Sequence, residues 1–364
     1  MKNVAIFCGG VSAEHEISIK SARNIIKAID KQEFKPILVI ISRAGTWYLQ
    51  SDISILDQIT ECSEPFNYGE LCTLMRKATE SCLVTLKGQE LRVDVAFPVL
   101  HGPMGEDGTI QGMFEVMNLA YVGSAVLASG LGMDKDFMKR ILATSKIPLV
   151  PSVCLYDKND YVDYAVVSES LRSTILFVKP CVMGSSVGVS KASSAETYDA
   201  AVLEAFKYST KVLVEKFIPC REIECAVLGN HSPKASCLAE IKTNHDFYSY
   251  EAKYIDPNGA DYIIPAKLDN KITEQIRDIA VKAFVALDCK GMARVDFFLG
   301  PDNEIFVNEL NTIPGFTSIS MYPQCWQASG MSYSELVKNL IDLGIELQQK
   351  KQQICLTPNI SDAL

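Results

Sequence analysis

The sequence predicts a chain of α/β type, an open parallel sheet followed by strand pairs and helices of mixed order. Three observations carry that prediction. Over residues 1–125, short apolar runs alternate with amphipathic stretches, the pattern of successive βα units. Further along, several runs alternate polar and apolar residues, as strands with one buried face do. Hydrophobic residues make up 48% and charged residues 22% of 364 positions, the balance of a folded globular chain long enough for two or three domains.

The elements follow in order. "NVAIFCGG" is an apolar run closed by Gly-Gly, and "SAEHEISIKSARNIIKAI" reads as the helix that follows the turn. "FKPILVIIS" and "VDVAFPVLHG" are two more buried strands, "DGTIQGMFEVMN" a helix and "AYVGS" a returning strand. Residues 46–90 read as a polar, less periodic insertion. "MDKDFMKRILATS" opens the next region as a helix, and the strands "TILFVKP" and "VGVSKA" flank the loop "CVMGSS". "SSAETYDAAVLEAFKYS" is a helix with Ser193 and Glu196 spaced as a capping box. "KVLVEKFI", "REIECAVLG" and "KASCLAEIK" are strands; residues 243–266 have no regular period, as expected of a functional lid or a disordered loop. A helix at 270–288, strands at 292–299 and 304–310, and a helix from about 332 capped by Ser332 and Glu335 complete the pattern, with the polar "QQKKQQ" expected to fray.

Composition narrows the function classes. A net charge of −9 disfavours nucleic acid and anionic membrane as main partners. Twelve cysteines without a C-x-x-C pair read as reduced thiols of a cytoplasmic protein. The first residues run straight into a strand, without a signal-peptide pattern, and the longest apolar run, "PILVIIS", is too short for a membrane span.

Chemistry concentrates on one predicted hairpin. "GMARVDFFL" and "NEIFVNELN" are joined by the turn Gly300-Pro301-Asp302-Asn303. A regular antiparallel register places Leu299 opposite Glu304, Phe297 opposite Phe306, Arg294 opposite Glu309 and Met292 opposite Asn311. Arg294, Asp296, Glu309 and Asn311 then share one face, with Asp296 and Glu309 as diagonal neighbours. Ala293, Val295, Phe297, Phe306 and Leu310 form the core face. Two carboxylates and an amide oxygen suit Mg²⁺; an Arg–Glu pair on a solvated face is the plainer alternative. "GSSVG" matches the G-x-S-x-G elbow of serine hydrolases, but the following "VGVSKA" reads as a strand where that motif needs a helix. A backbone flap over phosphates fits better, with Lys135, Lys179 and Lys253 as cationic candidates.

Taken together, "GGVSAEHEIS", "LHGPMGEDGTIQG", "MDK", "VKP…GSSVG", "VEKFI…E", "YEAKY", "ARVDFF" and "NELNTIPGFTSISMYP" stand in the order found in D-alanine–D-alanine ligases. The chain resembles that family, part of the ATP-grasp superfamily, over nearly its whole length. The resemblance implies an ATP-grasp fold with an N-terminal α/β domain at 1–127, a central subdomain at 128–219, a C-terminal subdomain at 220–348 and a tail at 349–364. It implies ATP-dependent joining of two D-alanines through a D-alanyl phosphate. Asp296, Glu309 and Asn311 would hold two Mg²⁺ or Mn²⁺ ions, and Lys135, Lys179 and Lys253 would bind phosphates. Glu215, Lys216 and Ile218 would line the adenine pocket, with Glu222 at the ribose. Glu14 would hold the first D-alanine's ammonium, linked to Ser185 and Tyr254. Arg294 and the Gly315 N–H would form the oxyanion site, Ser320 and Met321 would take the second carboxylate, and His101 would sit near the substrates. The family pattern also implies a homodimer. Tyr254 follows Lys253 as in members that add D-alanine, so D-lactate is the poorer expected second substrate. The flap "CVMGSS" lacks the charged residue that some members carry there. Another ATP-grasp carboxylate–amine ligase, or an ATP-binding regulator without catalysis, would be the competing readings.

Overall fold

Strand β1 (Lys2–Gly9) is buried from Val4 to Gly9, and both of its faces are covered. Val4, Ile6 and Cys8 pack towards helix α1 (His15–Ala28); Ala5 and Phe7 pack towards helix α3 (Thr109–Val116). That is why the strand reads as an unbroken apolar run. The structure, a computed structural model, describes residues 1–58, 69–78, 80–159, 161–243 and 259–355.

Parallel pairing joins β1 to β2 (Phe34–Ile41) and to β7 (Val95–Val99), and β7 to the short β8 (Ala120–Tyr121). This is the predicted parallel sheet. It is larger than expected, because the 46–90 segment is not an interruption. It contributes β3 (Trp47–Gln50), β4 (Glu70–Arg76), β5 (Ser81–Thr85) and β6 (Glu90–Val93), a run of antiparallel strands that extends the sheet to eight. A one-turn helix, α2 (Ile55–Gln58), lies within the same segment. β4 hid from the sequence pattern because Leu71 and Met75 are exposed and only Leu74 is fully buried.

Helices α4 (Val126–Met133) and α5 (Lys135–Thr144) lead into a four-stranded antiparallel sheet in the order β11 (Ser190–Ala192), β10 (Leu176–Pro180), β12 (Val212–Lys216), β9 (Ser152–Leu155). Helices α6 (Tyr164–Leu171) and α7 (Ala195–Ala205) cover one face of it around Tyr198. The capping box of α7 is formed by Ser194 and Thr197 rather than Ser193 and Glu196. The helix starts one residue later than expected, because the Thr197 hydroxyl also reaches back to the Ser194 N–H at 3.0 Å.

The third sheet has five antiparallel strands in the order β15 (Ala260–Ile263), β14 (Lys234–Thr243), β13 (Arg221–Gly229), β16 (Gly291–Leu299), β17 (Ile305–Asn311). Helix α8 (Asn270–Ala286) covers one face, and α9 (Met321–Ala328) and α10 (Tyr333–Lys351) lie towards the first sheet. The Ser332–Glu335 capping box forms as predicted, but α10 continues through Lys351, so most of "QQKKQQ" is helical. Its Gln348 anchors that end by donating to Asn118.

The β16–β17 register differs from the expected one. Leu299 pairs with Ile305, Phe298 with Phe306, Phe297 with Val307, Asp296 with Glu309, Val295 with Leu310 and Arg294 with Asn311. Two residues therefore changed places relative to the prediction: Val307 is in the core, and Phe306 is half-buried on the opposite face beside Phe298. Asn308 is the extra residue of a β-bulge. The turn is one residue off the assumed register, and the bulge adds a second offset that returns the strand to the original parity. Arg294, Asp296, Glu309 and Asn311 therefore do share a face, although Asp296 and Glu309 are direct partners and not diagonal ones.

Candidate functional site

Three acids lie in one row across three strands. Glu224 of β13 pairs with Asp296 of β16, which pairs with Glu309 of β17. Such a row is costly without cations, and two side chains supply them. Arg294 grips Asp296 with Nε and Nη2, each at 2.7 Å, and its Nε lies 3.0 Å from Glu224 Oε2. Burial disfavours the guanidinium's charge, but Asp296 and Glu224 outweigh it and raise its pKa. Lys135 Nζ lies 3.2 Å from Glu309 Oε2 and donates to the Met183 carbonyl of the flap at 2.8 Å. Asn311 Nδ2 donates to Asp296 Oδ2 at 2.9 Å, which turns its amide oxygen away from that carboxylate. Among the described residues no three His, Cys, Asp or Glu groups form a metal-binding cluster. The third oxygen donor on this face is an amide, as the sequence suggested. A set of carboxylate and amide oxygens next to a lysine ammonium has the donor chemistry of a hard divalent cation site.

On one side of this row lies a cleft of about 620 Å³, a size suited to a nucleotide. Lys135, Lys179, Glu215, Lys216, Ile218 and Glu222 are brought together along its walls. Glu215 is buried between two lysines, with Lys139 Nζ and Lys179 Nζ both at 2.5 Å. Burial pushes the Glu215 carboxyl up, but the two ammonium groups outweigh it and hold it at about 2. Lys179 also donates to Asn308 Oδ1 at 3.3 Å and lies 5.6 Å from the centre of the Phe298 ring. The sequence reading missed Lys139, Asn308 and Phe298. Lys139 follows Lys135 by one helical turn, which was the available signal.

The flap between β10 and β11 closes this cleft. Ser185 and Ser186 have φ of 53° and 58°, and Gly188 has 69°. The Val187 N–H donates to the Gly184 carbonyl at 3.2 Å and the Val189 N–H to the Ser186 carbonyl at 3.3 Å, so the loop is a succession of tight turns. Two serines there represent stored strain, which clusters at functional loops.

On the other side of the acid row, a second cavity is lined by Glu14, His101, Glu106, Ser185, Arg294, Gly315, Ser320 and Met321 among others. Glu14 precedes α1, at the end of a turn that begins with Gly9. A Cβ on Gly9 would sit 2.2 Å from the Ile41 carbonyl oxygen, so only glycine fits. Glu14 Oε2 would lie 3.5 Å from a Cβ on Gly184, which places the carboxylate against the flap next to Ser185. Ser320 precedes α9 and accepts from the Thr317 N–H at 2.9 Å; a Cβ on Gly315 would lie 2.8 Å from its hydroxyl. His101 is buried and shares a hydrogen at 3.0 Å between Nδ1 and the Ile313 carbonyl, which as the acceptor fixes Nδ1 as the donor. Burial lowers its pKa. Lys253 and Tyr254 lie outside the described residues. Glu106 and Glu224 were missed. Glu224 could have been found, since it alternates with core residues Ile223 and Cys225 on the same face as Glu222.

Both cavities reach Gly184, Ser185, Ile241 and Glu309. A lysine-rich cleft thus adjoins a pocket lined by acids and an arginine, with one flap over both. The sequence profile described as D-ala D-ala ligase N-terminus matches residues 3–124, and that described as D-ala D-ala ligase C-terminus matches residues 141–342. The chain belongs to the D-alanine–D-alanine ligase family. Among its relatives in this family, D-alanine–D-alanine ligase A of Escherichia coli (strain K12) is 47% identical over 351 residues, 94% of this chain and 95% of the relative. The D-alanine–D-alanine ligase of Oceanobacillus iheyensis is 44% identical over 360 residues, 97% and 98% of the two chains. The D-alanine–D-alanine ligase structure from Coxiella burnetii superposes with a TM-score of 0.85 at 37% identity, covering 97% of this chain and 98% of that one. The VanG D-Ala:D-Ser ligase from Enterococcus faecalis gives 0.82 at 34% identity, covering 94% and 99%. The fold of these ligases is the ATP-grasp fold, as the resemblance implied.

Proposed function

We propose that the chain is an ATP-dependent ligase that joins two D-alanines into D-alanyl-D-alanine for peptidoglycan precursor synthesis, with release of ADP and phosphate. The observation that carries the reading is the junction of the two cavities at Glu309 and the flap. A carboxylate held in the zwitterion pocket there meets the end of a triphosphate held in the lysine cleft.

The residues divide the work. Lys135 and Lys179 hold phosphates, with Lys253 joining them, and the flap N–H groups cover them. Glu215, Lys216 and Ile218 line the adenine pocket, and Glu222 the ribose end. Glu14, next to the flap, holds the ammonium of the first D-alanine, and Ser185 and Tyr254 tie that carboxylate to the closed lid. The carboxylate oxygen of this first D-alanine attacks the terminal phosphate, the bond to that phosphate breaks with ADP as the leaving group, and the acylphosphate forms. The second amine then adds to the acyl carbon. Arg294 and the Gly315 N–H stabilise the oxygen charge that develops, while Ser320 and the Met321 backbone hold the second carboxylate. His101 sits beside the reacting groups. Asp296, Glu309 and Asn311 would hold Mg²⁺ or Mn²⁺, which when bound neutralises phosphate charge and orients the transfer. Exclusion of water by the flap protects the acylphosphate.

Among the described residues no helix is long and apolar enough to cross a membrane. We place the enzyme in the cytoplasm as a homodimer; light scattering on the purified chain tests the second point, with a monomer mass counting against it. The activity is tested by phosphate release and dipeptide detection with ATP, Mg²⁺ and D-alanine, set against L-alanine, D-serine and D-lactate. D-Alanyl-D-alanine is the expected product. No turnover with D-alanine while another acceptor works would overturn the reading in favour of a different carboxylate–amine ligase.

A further inference from the structure

The second D-alanine arrives as an ammonium ion, and an ammonium is no nucleophile. Something must take a proton before the amine can add. The second cavity contains a carboxylate that the assignments above leave without a role. Glu106 follows the His101-Gly102 turn, lines the same cavity as Arg294, Gly315 and Ser320, and is partly open to it. One of its oxygens, Oε2, accepts from the Gly102 N–H at 2.7 Å, and the Ile313 backbone also bonds the carboxyl, so the side chain is held in place. His101 stands on the same wall, and no hydrogen-bond partner reaches its buried Nε2. The wall between the oxyanion donors and α3 thus offers one accessible acid and one buried, neutral imidazole.

We infer that Glu106 receives the α-ammonium of the second amino acid and accepts its proton as the amine attacks, with His101 as the positioning residue beside it. The inference rests on the ligase reading. The proton balance is simple. The ammonium gives one proton to the Glu106 carboxylate. The neutral nitrogen forms its bond to the acyl carbon as the carbon–oxygen bond to phosphate breaks. The departing phosphate takes the second nitrogen proton, and Glu106 returns its proton to solvent when the product leaves.

The surroundings suit the task. Burial first, and then the Glu14 carboxylate, push the Glu106 carboxyl up to about 8, while the Gly102 and Ile313 backbone and Arg294 pull the other way. The other ionisable groups lining this cavity are His101, Glu224, Tyr262 and Glu309. An ordinary carboxylate is too weak a base for an amine, and a base poised near the working pH is the effective one. An incoming ammonium favours the ionised form, so binding the substrate prepares its own base.

The test separates acylphosphate formation from amine attack. Hydroxylamine is neutral at pH 7 and attacks without first giving up a proton, the departing phosphate taking the one it loses on acylation; with ATP and D-alanine it traps the acylphosphate as the hydroxamate. Glu106→Gln should lose dipeptide synthesis by about 100-fold or more, the range for general base catalysis, and keep hydroxamate formation within about threefold. The acidic limb of the wild-type pH profile for dipeptide synthesis should vanish in the variant. Retention of dipeptide synthesis, or equal loss of both products, would overturn the inference. If Glu106→Gln does not fold, Glu106→Asp decides: it should lower dipeptide synthesis about tenfold with hydroxamate formation unchanged, and equal effects on both would overturn it. Failure of the ligase reading itself would look different, because the wild type would then make neither product from D-alanine.

Discussion

Lys179 Nζ donates to Asn308 Oδ1 across 3.3 Å, and Asn308 is the residue that the β16–β17 ladder leaves over. The bulge therefore does two things. It sends its own side chain into the lysine-rich cleft, and it sets which face Glu309 and Asn311 occupy. The two roles can be separated. Asn308→Ala should keep the fold and raise the KM for ATP about three- to tenfold. Deleting Asn308 removes the offset, turns Glu309 towards the core and Leu310 towards the cleft, and should abolish turnover. Steady-state kinetics on both variants checks this; an active deletion variant would show that the bulge is dispensable.

Glu309 is partly exposed and its described ion pair is with Lys135, so its loss should be felt in chemistry and little in folding. Glu309→Gln should abolish turnover while the melting temperature moves by less than about 4 °C. Thermal unfolding beside a phosphate-release assay decides it. A large stability loss with activity retained would make the residue structural.

Glu215 behaves in the opposite way. It neutralises two buried lysines, and removing one partner of a buried ion pair costs about 3–5 kcal/mol. Glu215→Gln should therefore lower the melting temperature markedly at neutral pH. Its carboxyl is held at about 2 against an ordinary 4.5, so the folded state binds fewer protons between those values. The stabilisation is complete above about pH 4.5 and fades as pH falls towards 2. The gap between wild type and variant should close over that window, as unfolding curves collected across it would register.

Glu106 carries the reverse sign. Its folded pKa is about 8 against 4.5, so the native state holds the extra proton between these values. Stability from this group is present below about pH 4.5 and is lost as pH rises through 8. Glu106→Gln should gain melting temperature relative to wild type above pH 8 and lose that advantage in acid. A pH-independent difference would refute the assignment of the raised carboxyl.

Gly315 and Ser320 test the carboxylate end. A methyl on Gly315 would approach the Ser320 hydroxyl to 2.8 Å and turn it away from the Thr317 N–H. Gly315→Ala should leave the fold intact and raise the KM for the second D-alanine about tenfold. The two D-alanine sites are separable by fitting initial rates to two KM values, and a change confined to the first would contradict the placement.

Much of this site was legible before any coordinates. Period-two alternation placed Arg294, Asp296, Glu309 and Asn311 on one face, and strand-to-helix alternation located the parallel sheet. The short strands of the 46–90 segment were not legible, because β3, β4 and β6 each bury a single residue and β5 buries four of five without alternation, so none carries a clear period of two. Neither was Glu106, since a carboxylate in an irregular turn looks like any surface acid until its neighbours are known. The hairpin register failed as well. Turn geometry and a bulge each shift the pairing by one residue, and both are settled by how the strands pack.

Local order in the chain thus determined which residue types share a strand face, where the glycine turns fall and which helices are capped, because these depend on neighbours a few positions apart. Tertiary structure alone decided that Glu215 sits between Lys139 and Lys179, that Arg294 neutralises acids from two strands, and that Glu106 joins Glu14 and Arg294 in one cavity. Charges interact through space, and the distances that set their strength arise only when sheets far apart in sequence close on one another.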